Sequence, residues 1–567
     1  MIQATRILRY CLPLALFAAG TVAHAQSSPE AMRSGANVVF QFGQDGECAA
    51  WKDGSKTTAR AYLWIPEHCQ KLRGLLILCA NVPEQMIAGD PHIRDVCSRH
   101  DLGIVFCPRS FYNFKATAKN QTPTDVAFLQ QLLDGLAKVS GYAEVATVPW
   151  IPIGESGHLL MVDALVENQP DRCIAGIWLK NPHLPPRNRT VPALVIFGSS
   201  QEWGQDKADF INRWKDVGGM NQNVIDQRKA NPNWPLTYVL DPTSGHFDLS
   251  DRLTRYVANY IDLIAPARLP DDPATPLRAI DLNSGCVADI PGPGAVAKSI
   301  ASYAGAKEPQ KNDPWFPSRE LATEMQSIGN VNWNAKSQLP AYINDKGERF
   351  PYYFNGITMM ALNHQPAAAR PQSMASPMLE TEADGITFHV NGTMLDQLPQ
   401  EFTHAGEALA KAPVAPTAEW LCGPIVPLGN NTFRIALDRT WPSPIYVALR
   451  EPGTADIRGV VEPGQIARDF NTEGKAQHLT FPQLPDAKAS AGPIKLGAVS
   501  DLGLPVDYFV DVGPAVIDGG ELKFTTIPPR AKFPITVTVG AWQGGRYGEP
   551  KIQRSAVVKQ SFSILAP

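Results

Sequence analysis

Charge is scarce in this chain and nearly balanced. Charged residues make up 19% of it and the net charge is −4 at neutral pH, so no basic face is available to follow a phosphate backbone and nucleic acid is not an expected partner. Hydrophobic residues at 44% are too many for a disordered chain. Beyond the first 25 residues no long apolar run is free of charges and prolines, which leaves no stretch of the roughly 20 residues that a spanning helix needs. There is no CxxC and no Cys/His spacing of the zinc kind, so neither a metal nor a cofactor is implied. Proline and glycine, by contrast, are plentiful: 50 and 44 among 567 residues. Such a content implies many turns and short strands, and it excludes an all-helical bundle. At about 100–200 residues per domain the length calls for three or four domains.

The N-terminus reads as a targeting segment. Arg6 and Arg9 precede the apolar run Cys11 to Ala19, and Ala23, His24 and Ala25 close it, the pattern of a cleaved secretory signal peptide over residues 1–25. The expected location is secreted or periplasmic, with no membrane anchor. Cys11 opens the apolar run instead of following it, which argues against a lipid-bearing cysteine. Cys48, Cys69, Cys79, Cys97, Cys107, Cys173, Cys286 and Cys422 remain. An even number in an exported chain permits disulfides, with Cys48 and Cys69 the first pair to test. Cys79 and Cys173 lie in or beside apolar runs, where a buried thiol and a bridge are both open.

Over residues 36–266 short apolar runs alternate with helical patterns. The expected strands are Val38–Phe42, Thr58–Ile65, Gly74–Cys79, Gly103–Cys107, Val148–Gly154, Ile174–Leu179, Ala193–Gly198 and Leu236–Leu240. Near-continuous apolarity is the mark of strands covered on both faces, and strand–helix alternation gives a mostly parallel, doubly wound sheet. Val126, Leu129, Leu132, Leu133, Leu136 and Val139 fall at helical spacing. Residues 267–370 read as a Pro-rich linker or wrapping arm followed by an irregular connector, with one helix near Ser318–Ser327. Period-two alternation then gives a β-rich, sandwich-like module over 380–483 and a further strand series over 484–567. The last series, with SDLGLPVDYFVDVGPAVIDGGELKFTTIPP, ITVTVGAWQGG and QSFSI, resembles the Ig-like repeat domains of secreted bacterial proteins, which implies a structural or adhesive role.

The chemistry gathers in PWIPIGESGHLLMVDAL, where an apolar strand runs through Gly154, Glu155, Ser156, Gly157 and His158 into a helix. This resembles the nucleophile elbow of the α/β-hydrolase superfamily, in which a sharp strand-to-helix turn demands small residues two positions either side of the serine. Gly154 meets that demand. His158 departs from it, so either the turn is wider or the imidazole points out beside the helix.

The resemblance implies an eight-stranded, mostly parallel sheet and partners in the order serine, acid, histidine, each after its own strand. After Ala193–Gly198 the sequence reads GSSQEWGQD, making Glu202 the preferred acid and Asp206 the reserve. After Leu236–Leu240 come Thr243, Ser244, Gly245, His246 and Phe247, and His246 takes the base position. The oxyanion donors would be the N–H of Gly157 and one from the Ala80–Pro83 loop. Pro83 has no N–H and the family's His-Gly pair is missing, which leaves Val82 first and Asn81 next. Trp203 and His183 stand where substrate would bind, and Trp234 precedes the histidine's strand.

The implied activity is that of a serine hydrolase of the carboxylesterase kind, acting on a small or polymeric ester outside the cell. Its alternatives are a serine peptidase, disfavoured by the absence of a propeller ahead of the hydrolase region, and a surface or carbohydrate-binding protein that keeps the fold as a scaffold. No catalytic grouping lies in the later modules, so they are expected to be accessory, and a chain ended near residue 270 to keep its hydrolysis of small esters.

Overall fold

The computed structural model describes residues 38–49, 56–79, 81–108, 123–180, 188–198, 217–241, 244–290, 296–330, 335–351, 357–365, 377–400, 405–467 and 471–567. The targeting segment lies outside them. Eight strands form the principal sheet: β1 (Phe42–Ala49), β2 (Lys56–Trp64), β3 (Gly74–Cys79), β4 (Leu102–Cys107), β5 (Trp150–Glu155), β6 (Gly176–Leu179), β7 (Ala193–Gly198) and β8 (Leu236–Asp241). Their order is β1-β2-β4-β3-β5-β6-β7-β8. β1 and β2 run antiparallel to their neighbours, and the remaining pairs are parallel. This is the sheet that the α/β-hydrolase resemblance implied. β3 (GLLILC), β4 (LGIVFC) and β7 (ALVIFG) are buried at every position, as parallel strands covered by helices on both faces must be.

The first strand differs from expectation. It occupies Phe42–Ala49 instead of Val38–Phe42, because an edge strand can carry Asp45 and Glu47 towards water. Val38 and Phe40 are buried beneath the later part of the chain: Val38 O accepts from Arg439 Nη1 and Phe40 O from the Gly513 N–H at 3.0 Å.

The segment after the last long helix, Asp251–Arg268, is a wrapping arm. Pro270 O accepts from Arg73 at 2.9 Å, and the fully buried Trp315 lies along β8, its carbonyl accepting from Thr237 Oγ1 at 2.8 Å. The expected helix near residue 320 spans Arg319–Gly329, with Ser318 Oγ accepting from Leu321 N. Residues 340–362, read from sequence as part of the connector, include strands. Pro340–Ile343 pairs with Asn391–Met394, and Thr358–Leu362 joins Arg458–Ile466 in parallel. The C-terminal region is β-rich, with a four-stranded and a three-stranded sheet beyond residue 486. Trp333, Tyr352, Tyr353 and Phe354 lie outside the described residues.

The later modules are not a separable tail. Buried apolar residues from Val38 to Ile564 belong to one core cluster. Asp511 accepts from Tyr62 OH at 2.9 Å and pairs with Arg60 at 2.8 Å, and Arg530 pairs with Glu144 at 3.0 Å. Cys69 is a buried free thiol, so the expected Cys48–Cys69 bridge is absent. The side chain of Cys48 lies outside the described residues.

Cutting the chain at residue 270 uncovers apolar surface along β1, β2 and β8 at once, and exposed patches of that size promote association. Such a chain is expected to elute as aggregate on size-exclusion chromatography. A soluble monomer with a native circular dichroism spectrum would show that the later modules are dispensable for folding.

Candidate active site

The buried strand β5 ends in a 3-10 turn, Ser156–His158, that feeds the helix Leu159–Asn168. Ser156 has φ +52°, a left-handed conformation that costs a non-glycine residue about 1–3 kcal/mol and persists only where its surroundings over-determine it. Gly154 shows how tight the turn is: a Cβ there would stand 2.5 Å from His158 O. His158 fits at its own position because its side chain turns inwards. The imidazole is buried, with Nδ1 3.5 Å from Glu84 Oε1. The same Glu84 oxygen accepts the Glu155 N–H at 2.7 Å. One buried carboxylate therefore bonds the residue before the serine and faces the residue two beyond it.

Glu84 lies on the helix Val82–Gly89, which follows β3. Asn81 precedes that helix and donates through Nδ2 to Glu155 Oε2. Its side chain is thereby engaged, and Val82, at the first helical position, brings its backbone N–H to the same end of the sheet as Gly157.

His246 follows β8, and its Nε2 stands 2.8 Å from Ser156 Oγ. Its side chain is 24% exposed, and Glu155 Oε1 lies 3.3 Å from the same nitrogen. Burial, and secondarily the charge of Lys180, push the imidazole down from 6.5 to about 4, so it is neutral at pH 7 and can accept a proton. Phe247 meets the imidazole edge-on, with ring centres 4.5 Å apart. Tyr446, from the strand Ile445–Gly453, stacks on Phe247 at 5.7 Å. Two residues past His246, the fully buried Asp248 pairs with Arg450 of that strand, and Arg450 also reaches Glu419 at 2.6 Å. The loop bearing His246 is thus fastened from outside the eight-stranded region.

Ser156 and His246 are brought into contact, and Gly157 and Val82 lie at the same, C-terminal edge of the sheet. Glu202, Asp206, Trp203 and His183 lie outside the described residues. Trp234 is core: it is buried and donates to Val191 O at 3.2 Å. Sequence reasoning missed Glu84, Glu155, Lys180 and Arg450. Glu155 was inside the motif itself, and Lys180 directly follows an apolar strand on the active-site edge. No group of metal-ligating side chains occurs among the described residues, and no described helix is long and apolar enough to cross a membrane. A cavity of about 370 Å³ lined by Leu72, Arg73, Pro149 and Pro270 lies at the opposite end of the sheet, where β3 and β5 begin.

No family model matches the chain, and no curated protein matches it. Several solved structures are similar to its first part. FphF, a fluorophosphonate-binding serine hydrolase of Staphylococcus aureus, has 10% identity and a TM-score of 0.25, over 39% of this chain and 98% of that one. LpqC, a poly(3-hydroxybutyrate) depolymerase from Bordetella parapertussis, has 13% identity and a TM-score of 0.26, over 43% and 95%. The siderophore hydrolase EstA from Aspergillus nidulans has 11% identity and a TM-score of 0.27, over 39% and 94%. Scores and identities of this size say nothing of activity. The fold is read from the strand order, and the site from its own distances.

The Asp248–Arg450 pair is testable by itself. Removing Arg450 leaves a buried carboxylate uncompensated, a change that costs about 3–5 kcal/mol. Arg450→Met is expected to lower the urea midpoint and to slow turnover together, and Asp248→Asn combined with Arg450→Met to cost less than the two single changes added. Strict additivity in that cycle would mean the two residues do not interact.

Proposed function

We propose that the protein is an exported serine hydrolase that cleaves a carboxylic ester, small or polymeric, with Ser156 as nucleophile and His246 as base. The observation that carries this reading is the 2.8 Å contact between His246 Nε2 and Ser156 Oγ, on an elbow whose serine has φ +52°. In this reading His246 takes the hydroxyl proton as Ser156 attacks the acyl carbon, and returns it to the leaving alkoxide. Water then repeats the sequence on the acyl-enzyme. The N–H groups of Gly157 and Val82 receive the tetrahedral oxyanion. Glu202, beyond β7, orients the imidazole through its other nitrogen, with Asp206 in reserve, and Trp203 and His183 line the substrate. Neither a metal nor a cofactor has a step to perform. The segment 484–567 is an Ig-like sandwich, and residues 1–25 direct export.

Glu155 adds a term that sequence reasoning did not include. Once Nε2 is protonated, Oε1 at 3.3 Å faces a cation instead of a lone pair. The attraction therefore grows as the proton moves, and only interactions that strengthen towards the transition state raise the rate.

Two measurements test the reading. A fluorophosphonate probe is expected to label the wild-type protein at Ser156, and Ser156→Ala to lose both labelling and ester hydrolysis while keeping its circular dichroism spectrum. Retained turnover in that variant would remove the serine mechanism. The second concerns pH. Only the neutral imidazole accepts a proton, and His246 stays neutral down to about 4. The acid limb of kcat/KM is therefore expected near that pH, and a limb centred at the ordinary histidine value of 6.5 would show the imidazole to be less buried than described.

A further inference from the structure

β5 and β6 run parallel with Glu155 opposite Leu179, so the next residues, Ser156 and Lys180, leave the sheet side by side. Both have left-handed backbones, φ +52° and +55°. A long side chain held in that conformation is uncommon, and here it is combined with complete burial. The Lys180 N–H is fixed to Ile196 O at 2.8 Å, so the residue is aimed by the sheet itself.

The ammonium goes towards the catalytic loop. Nζ donates to Ser244 Oγ, two residues before His246, and its charge is close enough to act on the imidazole. Ser244 is itself buried and neutral, its hydroxyl also donating to Asp248 O at 3.4 Å. No ion pair to Lys180 occurs among the described residues. Among the described residues its side chain has only that hydroxyl as a partner, and an ammonium so held out of water carries a large desolvation cost. A fold tolerates that most readily where an anion arrives as part of function.

The topology says which anion. The proposed oxyanion donors, Gly157 and Val82, lie on the β3 side of Ser156, whereas Lys180 lies on the β6 side. The charge that develops on the carbonyl oxygen is therefore not the one Lys180 meets. We infer that Lys180 is a specificity-determining residue that receives a carboxylate of the substrate, and that the preferred substrates are esters bearing a carboxylate a few bonds from the scissile carbonyl. This inference rests on the serine hydrolase reading above.

Two matched pairs of esters test it, each differing only in a carboxylate replaced by methyl. Monoethyl succinate against ethyl butyrate places the charge on the acyl side, and acetoxyacetate against ethyl acetate places it on the alcohol side. In at least one pair the wild-type kcat/KM is expected to favour the anionic ester by about tenfold or more, most of it in KM. Lys180→Met should abolish that preference and Lys180→Arg restore part of it. The ratio within a pair is the readout, because a general loss of activity or folding leaves it unmoved. If the variants do not fold, the wild-type ratios decide. Equal or reversed preference in both pairs, or a Lys180→Met ratio identical to wild type, overturns the inference. Fluorophosphonate labelling of Ser156 separates the two failures: a labelled enzyme without preference sinks the role of Lys180 alone, whereas an unlabelled one sinks the hydrolase reading.

Discussion

Glu84 is the group around which the site is assembled. Its carboxylate is fully buried, and one oxygen, Oε1, accepts the Glu155 N–H and is faced by His158. The consequence is mechanical. The strained Ser156 sits between a residue bonded to Glu84 and one that packs against it, and Glu84 is on the helix that begins at Val82. The serine turn and the helix that supplies the second proposed oxyanion donor therefore move as one body. Asn81 closes the loop by donating to Glu155. Precision of this kind, from buried partners on regular elements and not from loops, is what a preorganised site needs.

A second constraint reaches the site from the other side. The histidine loop is long, and a loop without packing is mobile. Here it is clamped by Phe247 against Tyr446 and by Asp248 against Arg450, both partners on the strand Ile445–Gly453. Helix Val82–Gly89 meets the same module where Gln85 Oε1 accepts the Gly423 N–H at 3.3 Å. The β-rich module thus touches the loop bearing His246 and the helix bearing Val82, and it supports the proposed site although it lends no proposed catalytic group.

What was legible in the sequence follows physical lines. Strands in the sheet interior are rich in apolar residues, so the six parallel strands and the antiparallel β2 were found at or within a few residues of their positions. The elbow was legible because its turn tolerates so few residues. β1 was displaced because apolar residues 38–42 are claimed by a contact with Arg439 and Gly513, hundreds of residues away, which no local pattern encodes. The packing of the later modules on the histidine loop was hidden for the same reason: Arg450 looks like any strand arginine until Asp248 is placed beneath it. Glu155 and Lys180 were readable as letters, but their meaning depends on the pairing of β5 with β6, which is a property of the sheet.

The charges around the imidazole are sorted by side. Glu155 stands at Nε2, on the side of Ser156, and Lys180 approaches from β6. Before substrate arrives, burial and the Lys180 charge keep the imidazole neutral, ready to accept a proton but reluctant to hold one. A carboxylate seated on Lys180 would cancel that repulsion while leaving Glu155 in place, and so favour the imidazolium at the moment the serine must surrender its proton. Recognition and base strength would then be coupled through one lysine. An ester with the anion would gain in the chemical step as well as in binding, whereas a neutral ester would leave the repulsion between Lys180 and the imidazole in place.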